Sequence, residues 1–416
     1  MKPSARIQAV IEILEGLSRT DQPVDRYLRD WARGHRYAGS KDRASIGERI
    51  FAIMRRRASF AWRMQSQGPR ALAIASLLNE GFDEAALEEI FSGEKYAPPK
   101  LREEERAFIL VPPKEPPPLH VQGEFPEFLQ GELAERFGEN LLPEMAAFLE
   151  RAPVDLRVNS LKATTDEILK QLRDEGYDAS ATPWSPAGIR IPPGEGSAAL
   201  SKSSAFENGL FEFQDEASQI VSQLCGARPG SRVLDLAAGA GGKSLALAAA
   251  MNNEGEIVAR DIRADALERL KERAARAGVT IIRDDAEGRF DLVLVDAPCS
   301  GSGTWRRQPE LKWRLTPARL AEFTRLQDRL LAEGAGHLKP GGRLVYVTCS
   351  VLPVENERRI ARFLEQNPRF SILSAARLRR DIWDAPEPPG MGEFFRASPY
   401  LTGTDGFFAA ALSSQE

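Results

Sequence analysis

The sequence predicts an α/β chain whose C-terminal half is a doubly wound, largely parallel sheet. Three observations predict it. From Asp215 onward, short apolar runs alternate with amphipathic stretches, the pattern of repeated strand–helix units. The run ending at Leu236 leads directly into Ala237-Ala-Gly-Ala-Gly-Gly-Lys-Ser244, a glycine turn that opens a helix. Two further apolar runs, Leu292–Val295 and Arg343–Val347, stop at Asp296-Ala-Pro-Cys299-Ser and Thr348-Cys349-Ser. The carboxyl ends of strands are where ligands sit in such sheets.

The elements follow in order. Residues 1–110 read as all-helical. Ile7, Val10, Ile11, Ile13, Leu14 and Leu17 fall at helical spacing, Val24–Trp31 forms a second helix, and Ser40–Trp62 forms one long helix with Ile46, Ile50, Ile53 and Met54 on one side. Ala71–Leu78 and Glu84–Phe91 add two short ones. The long helix ends in Arg55, Arg56, Arg57 and Arg63 beside Phe60 and Trp62, a mixture that suits RNA phosphates and bases. A packed helix with solvated arginines explains it equally. Five prolines between Pro112 and Pro118 make residues 111–124 a linker. Residues 125–213 read as a small α+β module: a helical stretch to Glu150, strands over Val154–Val158 and Gly188–Ile191, a helix over Thr165–Glu175, and an extended segment over Phe206–Phe213. Its polar cluster is Arg157, Asn159, Ser160 and Lys162; a plain strand end and turn is as good a reading.

Residues 214–416 form the doubly wound domain. Strands are expected at Arg232–Leu236, Glu256–Arg260, Val279–Arg283, Leu292–Val295 and Arg343–Val347. Helices are expected at Asp215–Leu224, Ser244–Met251, Ala264–Ala277, Ala318–Gly334 and Glu355–Gln366, and Phe394–Leu412 reads as two strands around a turn at Thr404–Gly406.

Composition narrows the function. The chain has 416 residues, 42% apolar and 28% charged, with no run long enough to span a membrane and no signal-peptide core at its start. Three cysteines leave no room for a disulfide framework, which makes a reducing cytoplasm the expected location. Three histidines and the absence of CxxC and HExxH spacing argue against a metal site. A net charge of −4 argues against a wholesale polyanion-binding surface, though a local patch remains open.

The glycine turn admits three identities. A dinucleotide site fails because the last glycine of GxGxxG is Ser244, and a phosphate-binding P-loop lacks its first glycine, which is Ala237. An S-adenosylmethionine (SAM) site fits Asp235 followed by a GxG turn. Asp261, closing the next strand, can accept both ribose hydroxyls of a nucleoside. Asp285, with Asp284 as substitute, could accept the adenine amine. The thiols then suggest pyrimidine chemistry. Carbon 5 of cytosine is too poor a nucleophile to take a methyl group unaided; a thiolate adding at carbon 6 makes an enamine of it. Asp296 is placed to hold a protonated N3 and the exocyclic amine, and Lys243 to hold the ring or assist proton transfer. Cys225, at a helix end, reads as packing.

On these residues the chain resembles the Sun/Fmu-type RNA (cytosine-5) methyltransferases, a group that includes bacterial small-subunit rRNA methyltransferases. The motifs are Arg157-Val-Asn-Ser-Leu-Lys162, Asp235–Ser244, Asp296-Ala-Pro-Cys-Ser300, Arg306-Arg307-x-Pro309-x-x-Lys312-Trp313, Lys339-Pro-Gly-Gly342, Thr348-Cys-Ser350, Glu355-Asn356 and Asp405-Gly-Phe-Phe408. The resemblance implies a Rossmann-like class I SAM-dependent catalytic domain, preceded by an RRM-like module and an all-α NusB-like RNA-binding domain. It implies Cys349 as nucleophile and Cys299 as the cysteine that assists product release. Ala237, Ala238, Gly239, Ala240, Gly241, Gly242, Lys243, Asp261, Asp285 and Asp296 match the SAM pocket; Asp296 and Lys243 also match residues facing the base. Arg157, Asn159, Lys162, Arg306, Arg307 and Lys312 are the expected RNA contacts. The family's loop usually reads Cys-Ala-Ala-Pro-Gly-Gly-Lys-Thr, so the proline is missing here and the turn should be looser. The expectation is a cytoplasmic monomer, without metal or membrane, that methylates carbon 5 of a cytosine in RNA, with 16S rRNA ahead of tRNA. The alternatives are Cys299 as nucleophile, a P-loop NTPase, and a non-catalytic RNA-binding assembly factor.

Overall fold

In the computed structural model, which describes residues 1–194, 197–283, 287–382 and 386–414, the chain divides into two compact units. One is Met1–Leu149 with Arg307–Leu315; the other is Glu150–Arg306 with Thr316 onward.

The first unit is helical. Helices Pro3–Leu17, Val24–Gly34, Ser40–Arg55, Arg57–Met64, Pro69–Asn79 and Glu84–Ile90 bury the apolar stripes that the spacing marks out. The long helix expected over Ser40–Trp62 is broken at Arg56, whose φ and ψ are −111° and 29°. Glu124 causes the break. Its carboxyl accepts the Ala58 and Ser59 N–H groups at 2.8 and 3.2 Å, capping a fresh helix start. Periodicity runs on through Arg56 and gives no sign of this. A helix over Glu103–Leu110 was not expected. The expected linker is irregular through Pro118, then packs: Leu119–Gln122 is helical, and Glu124 and Phe125 are buried. Helices Gln130–Phe137 and Leu141–Ala147 lie in this unit.

Arg307–Leu315 joins the same unit although it is remote in sequence. Within it, the helix Glu310–Arg314 is fixed by Trp313, whose indole N–H donates to the Met54 carbonyl at 2.6 Å, and by Glu310, which accepts the Val24 N–H at 3.2 Å.

The second unit holds two sheets. Strands β1 (Val154–Val158), β2 (Ser180–Ala181), β3 (Gly188–Ile191) and β4 (Phe211–Phe213) form an antiparallel sheet in the order β2-β3-β1-β4. Leu156, Ile189 and Phe211 pack with Ile168 and Leu172 of the helix Thr165–Asp174. The extended segment expected over Phe206–Phe213 is instead a helical turn, Ser204–Glu207, followed by β4, because the Ser203 hydroxyl caps the Phe206 N–H at 3.2 Å.

The large sheet contains β5 (Arg232–Asp235), β6 (Glu256–Ala259), β7 (Ile282–Arg283), β8 (Phe290–Asp296), β9 (Leu338–Thr348), β10 (Phe370–Leu373), β11 (Phe395–Ala397) and β12 (Phe407–Ser414). Its order is β10-β12-β9-β8-β5-β6-β7, with β11 on β12. β5 to β9 are mutually parallel, while β12 enters antiparallel between β9 and β10. Alternate residues face opposite cores: Val233, Leu292, Leu294 and Val345 on one side, Leu234, Val293, Val295 and Leu344 on the other. Helices cover both faces, which is why the strands read as continuous apolar runs. The strand expected over Val279–Arg283 is shorter, and the tail carries a helical turn, Pro399–Thr402, between its two strands. The helix expected from Glu355 begins at Glu357 after a 3₁₀ turn. The chain winds from β5 out to β7, then returns to β8 and β9 on the other side. The strand order therefore reverses between β5 and β8, the crevice where open α/β sheets hold ligands.

Candidate active site

The loop after β5 is shaped by backbone. Gly239 and Gly241 have φ of 55° and 80°, and a Cβ on Gly241 would come within 2.5 Å of Leu270 Cγ. Ala237 to Ala240 and Gly242 are partly exposed along the turn. The Gly239 N–H donates to Asp261 at 2.8 Å, tying the turn to the tip of β6. Burial alone would raise Asp261, but Arg263 and the Gly239 N–H outweigh it and hold the carboxyl below its ordinary range. Asp285 and its substitute Asp284 lie outside the described residues.

Asp235 sits at the base of this cradle. One oxygen accepts the Ser244 hydroxyl at 2.6 Å; the other, Oδ1, is buried with no hydrogen-bond partner among the described residues. Burial first, then the Asp296 carboxylate, push Asp235 up to about 7, although Ser244 opposes the shift. The ordinary value is 3.8, so between the two the folded chain binds the extra proton. This group therefore favours folding below about pH 4, and the contribution is lost as pH rises through about 7. In Asp235→Asn the fall in stability over that window should be shallower than in wild type, by up to about 1.4 kcal/mol per pH unit. Urea unfolding at several pH values in the window measures it; parallel profiles would refute the assignment.

Across the crevice, the end of β8 brings Asp296 to Lys243, with Nζ to Oδ2 at 2.7 Å and the ammonium 5.4 Å from the Phe407 ring centre. Burial would lower the Lys243 pKa, but Asp296 outweighs it, with Cys349 adding to the effect, and the net direction is up. Lys243 thus remains a cation. Beside it, at the tips of adjacent parallel strands β8 and β9, Cys299 Sγ and Cys349 Sγ are 3.3 Å apart, both partly exposed. The contact with Cys349, then burial, raise the Cys299 thiol well above its ordinary value. Either sulfur can be the S–H donor in this contact. Cys225 is fully packed, and burial pushes its thiol up to about 12.

Glu355 holds the two thiol loops together. It is fully buried. Its carboxyl accepts the Ser300 N–H at 2.8 Å and the Ser300 hydroxyl beside Cys299, the Ser350 hydroxyl at 2.6 Å beside Cys349, and the Gln327 amide at 3.0 Å. Asn356 adds bonds to the Thr348 hydroxyl at 2.6 Å and the Ser350 carbonyl at 2.9 Å. Gly303 and Gly406 pack backbone to backbone, where a Cβ on Gly303 would meet the Gly406 oxygen at 2.0 Å. Sequence reasoning quoted Glu355-Asn356 and Asp405-Gly406 as motif letters and gave them no role; the partner serines next to each cysteine were the available signal.

Four of the six expected RNA contacts are corrected. Arg157 is buried against Gln214, with Nε to Oε1 at 2.6 Å, and burial pulls it down to about 10. Asn159 is buried, donating to the Gly209 and Ala277 carbonyls at 2.9 and 2.8 Å. Arg306 is buried with Asp405 at 3.1 Å, and Lys312 is fully buried near Glu124. None of these four presents surface to RNA: each is a strut of its own unit. Lys162 is exposed but its ammonium donates to the Asn208 and Arg276 carbonyls at 2.8 and 2.7 Å, and Arg307 is half-buried.

Residues 223–413 match the family described as 16S rRNA methyltransferase RsmB/F, and residues 125–194 match its ferredoxin-like domain. The probable ribosomal RNA small subunit methyltransferase B of Synechocystis sp. is 31% identical over 312 residues, covering 71% of this chain and 68% of that protein. The chain belongs to the RsmB/F family. Its counterpart from Bacillus subtilis is 30% identical, covering 71% of this chain and 67% of that one. Among solved structures, PH0851 superposes with a TM-score of 0.77 at 26% identity, covering 100% of this chain and 99% of that one. A methyltransferase homolog protein from Pyrococcus horikoshii gives 0.60 at 28% identity, covering 71% and 97%.

The RsmB/F family is SAM-dependent, and the residues present fit that group. The open cradle at Gly239 and Gly241, the Asp261 carboxylate and the unpartnered Asp235 Oδ1 suit a nucleoside carrying positive charge. Three carboxylates, Asp235, Asp261 and Asp296, interact across the site, an arrangement that repels a polyphosphate and disfavours the P-loop alternative. Among the described residues no group of three or more metal-ligating side chains occurs, and no helix is long and apolar enough to cross a membrane.

Proposed function

We propose that this enzyme methylates carbon 5 of a cytosine in small-subunit rRNA through a covalent adduct on Cys349. The observation that carries the reading is the pair of sulfurs 3.3 Å apart at neighbouring strand tips, flanked by the Lys243–Asp296 ion pair.

The chain's own groups supply the steps. Cys349 attacks as thiolate, with the Cys299 sulfur 3.3 Å away. Its sulfur adds to carbon 6 of a cytosine turned out of its stack. Asp296, steadied by Lys243, accepts from the protonated N3 and the N4 amine, so the ring becomes an enamine whose electron pair is available at carbon 5. SAM held at this site would contribute an electrophilic sulfonium methyl for that carbon, with the neutral thioether as leaving group. Cys299, having lost its proton to solvent once Cys349 no longer carries charge, takes the proton from carbon 5. The C5–C6 double bond re-forms, the C6–S bond breaks, and Cys349 leaves as thiolate. Asp261 would hold the cofactor's ribose hydroxyls.

Tritium at carbon 5 of cytidine tests this. With [5-³H]cytidine-labelled small-subunit rRNA, tritium release should equal methyl incorporation. Methyl incorporation without release would place the reaction on another atom and overturn the reading. The same assay on labelled tRNA should show neither.

A further inference from the structure

The helix Arg57–Met64 in the first unit borders two cavities that the chemistry above does not use. One, of about 520 Å³, is lined by Arg57, Trp62, Gln65, His120 and Trp313 among others; the next, of about 490 Å³, shares Arg57, Gln67 and Trp313 and adds Arg19, Arg314 and Glu310. Both have the size of small-molecule sites.

Three features stand out. Arg57 has no hydrogen bond or ion pair among the described residues and lies over the Trp313 ring at 5.8 Å, whereas its neighbours Arg63 and Arg70 are committed to the Phe108 carbonyl and to Glu105. Burial lowers its pKa, so it has given up water without gaining an anion. Glu310 is 4% exposed, and while one oxygen accepts the Val24 N–H, the other has no partner among the described residues. The remaining lining mixes amide and imidazole groups with two indole rings.

We propose that these cavities bind one dinucleotide step of single-stranded RNA. The bridging phosphodiester lies on Arg57 and the two bases occupy the cavities on either side of Trp313. Arg57, the cation that both cavities share, sits at their junction beside the Trp313 indole, and so matches a single phosphate between two bases. The acidic groups argue for this placement rather than against binding: Glu310 repels a phosphate from the depth of the second cavity but accepts a donor on a base edge. A peptide gives no reason for one anion at the junction. The proposal rests on the RNA reading and deepens it by naming a site within the first unit.

The test is anisotropy of a fluorescein-labelled, mixed-sequence single-stranded RNA dodecamer against the full chain across a salt series. Arg57→Gln should weaken binding about tenfold at low salt and reduce the log–log salt slope by about 0.7. Trp62→Ala should weaken it about five- to hundredfold with the slope unchanged. Arg57→Lys should keep the slope, and thermal melting within a few degrees of wild type shows the variants folded. Unchanged affinity and slope in folded Arg57→Gln would overturn the proposal, as would a peptide-only occupant. Binding is read without turnover, so this result stands apart from tritium release: the groove can fail while carbon 5 is methylated, or hold while it is not.

Discussion

Cys349→Ala should lower methyl transfer on the order of 10⁴- to 10⁶-fold, the scale on which loss of a covalent nucleophile is felt. It should also abolish the adduct with 5-fluorocytosine RNA, in which the proton needed for release is replaced by fluorine. Cys299→Ala should behave differently. Its nucleophile is intact, so carbon 6 is still attacked, but no nearby base removes the carbon 5 proton and the adduct persists even on ordinary RNA. The asymmetry follows from the roles proposed for the two sulfurs, which stand 3.3 Å apart, with the Cys299 thiol raised by its contact with Cys349 and by burial. Denaturing gel analysis of the RNA–protein complex distinguishes the variants. An adduct in Cys349→Ala with none in Cys299→Ala would reverse the roles of the two sulfurs.

The second large effect is expected at Glu355. Truncation to alanine removes the buried acceptor of four donors, from the Ser300 backbone and hydroxyl, Ser350 and Gln327, leaving the Ser300 N–H without a partner among the described residues while Gln327 keeps the Pro298 carbonyl and Ser350 keeps Ser302. An unmet buried donor costs about 1–3 kcal/mol, and partial relaxation brings the total to the order of 3–5 kcal/mol. Glu355→Gln keeps the volume but turns an acceptor into a donor facing donors. It should remain folded while kcat falls about ten- to a hundredfold, with the KM for SAM unchanged. The distinction matters because Glu355 touches neither cysteine. It acts through Ser300 and Ser350, fixing how far apart the two sulfurs stand. Guanidinium unfolding and a kcat–KM split read the two variants; a Glu355→Gln enzyme with wild-type kcat would remove the positioning role.

The catalytic end of the sheet was legible because its chemistry is written in contiguous letters. An apolar run that stops at Asp-Ala-Pro-Cys or Thr-Cys-Ser states both the strand and what stands on its tip. The parallel core and the glycine turn followed for the same reason. Charged residues were not legible in this way, since a letter does not state burial. Arg157 reads as an RNA contact until Gln214, 57 residues on, is seen to hold it, and Arg306 until Asp405, 99 residues on, pairs with it. The break at Arg56 depends on Glu124, more than sixty residues away. Apart from the serine beside each cysteine, Glu355 has little local signature, because its role exists only when the segments carrying Ser300, Gln327 and Ser350 converge on it. The tail strand that includes Ala409–Leu412 was expected, but its alanine-rich run gives little hint that it inserts between β9 and β10 in the interior of the sheet.

That interior strand has a consequence for synthesis. β12 supplies the lateral hydrogen bonds of β9 up to Thr348, immediately before Cys349, and separates β9 from β10. As the polypeptide emerges from the ribosome, both sulfurs and the cofactor turn are made long before the segment that braces them. Until residue 408 or so is free to insert, β9 is an open edge flanked by apolar surface. The nascent chain should therefore be inert toward RNA and prone to capture by chaperones, and competence should arrive abruptly, with the last strand rather than with the last reactive group.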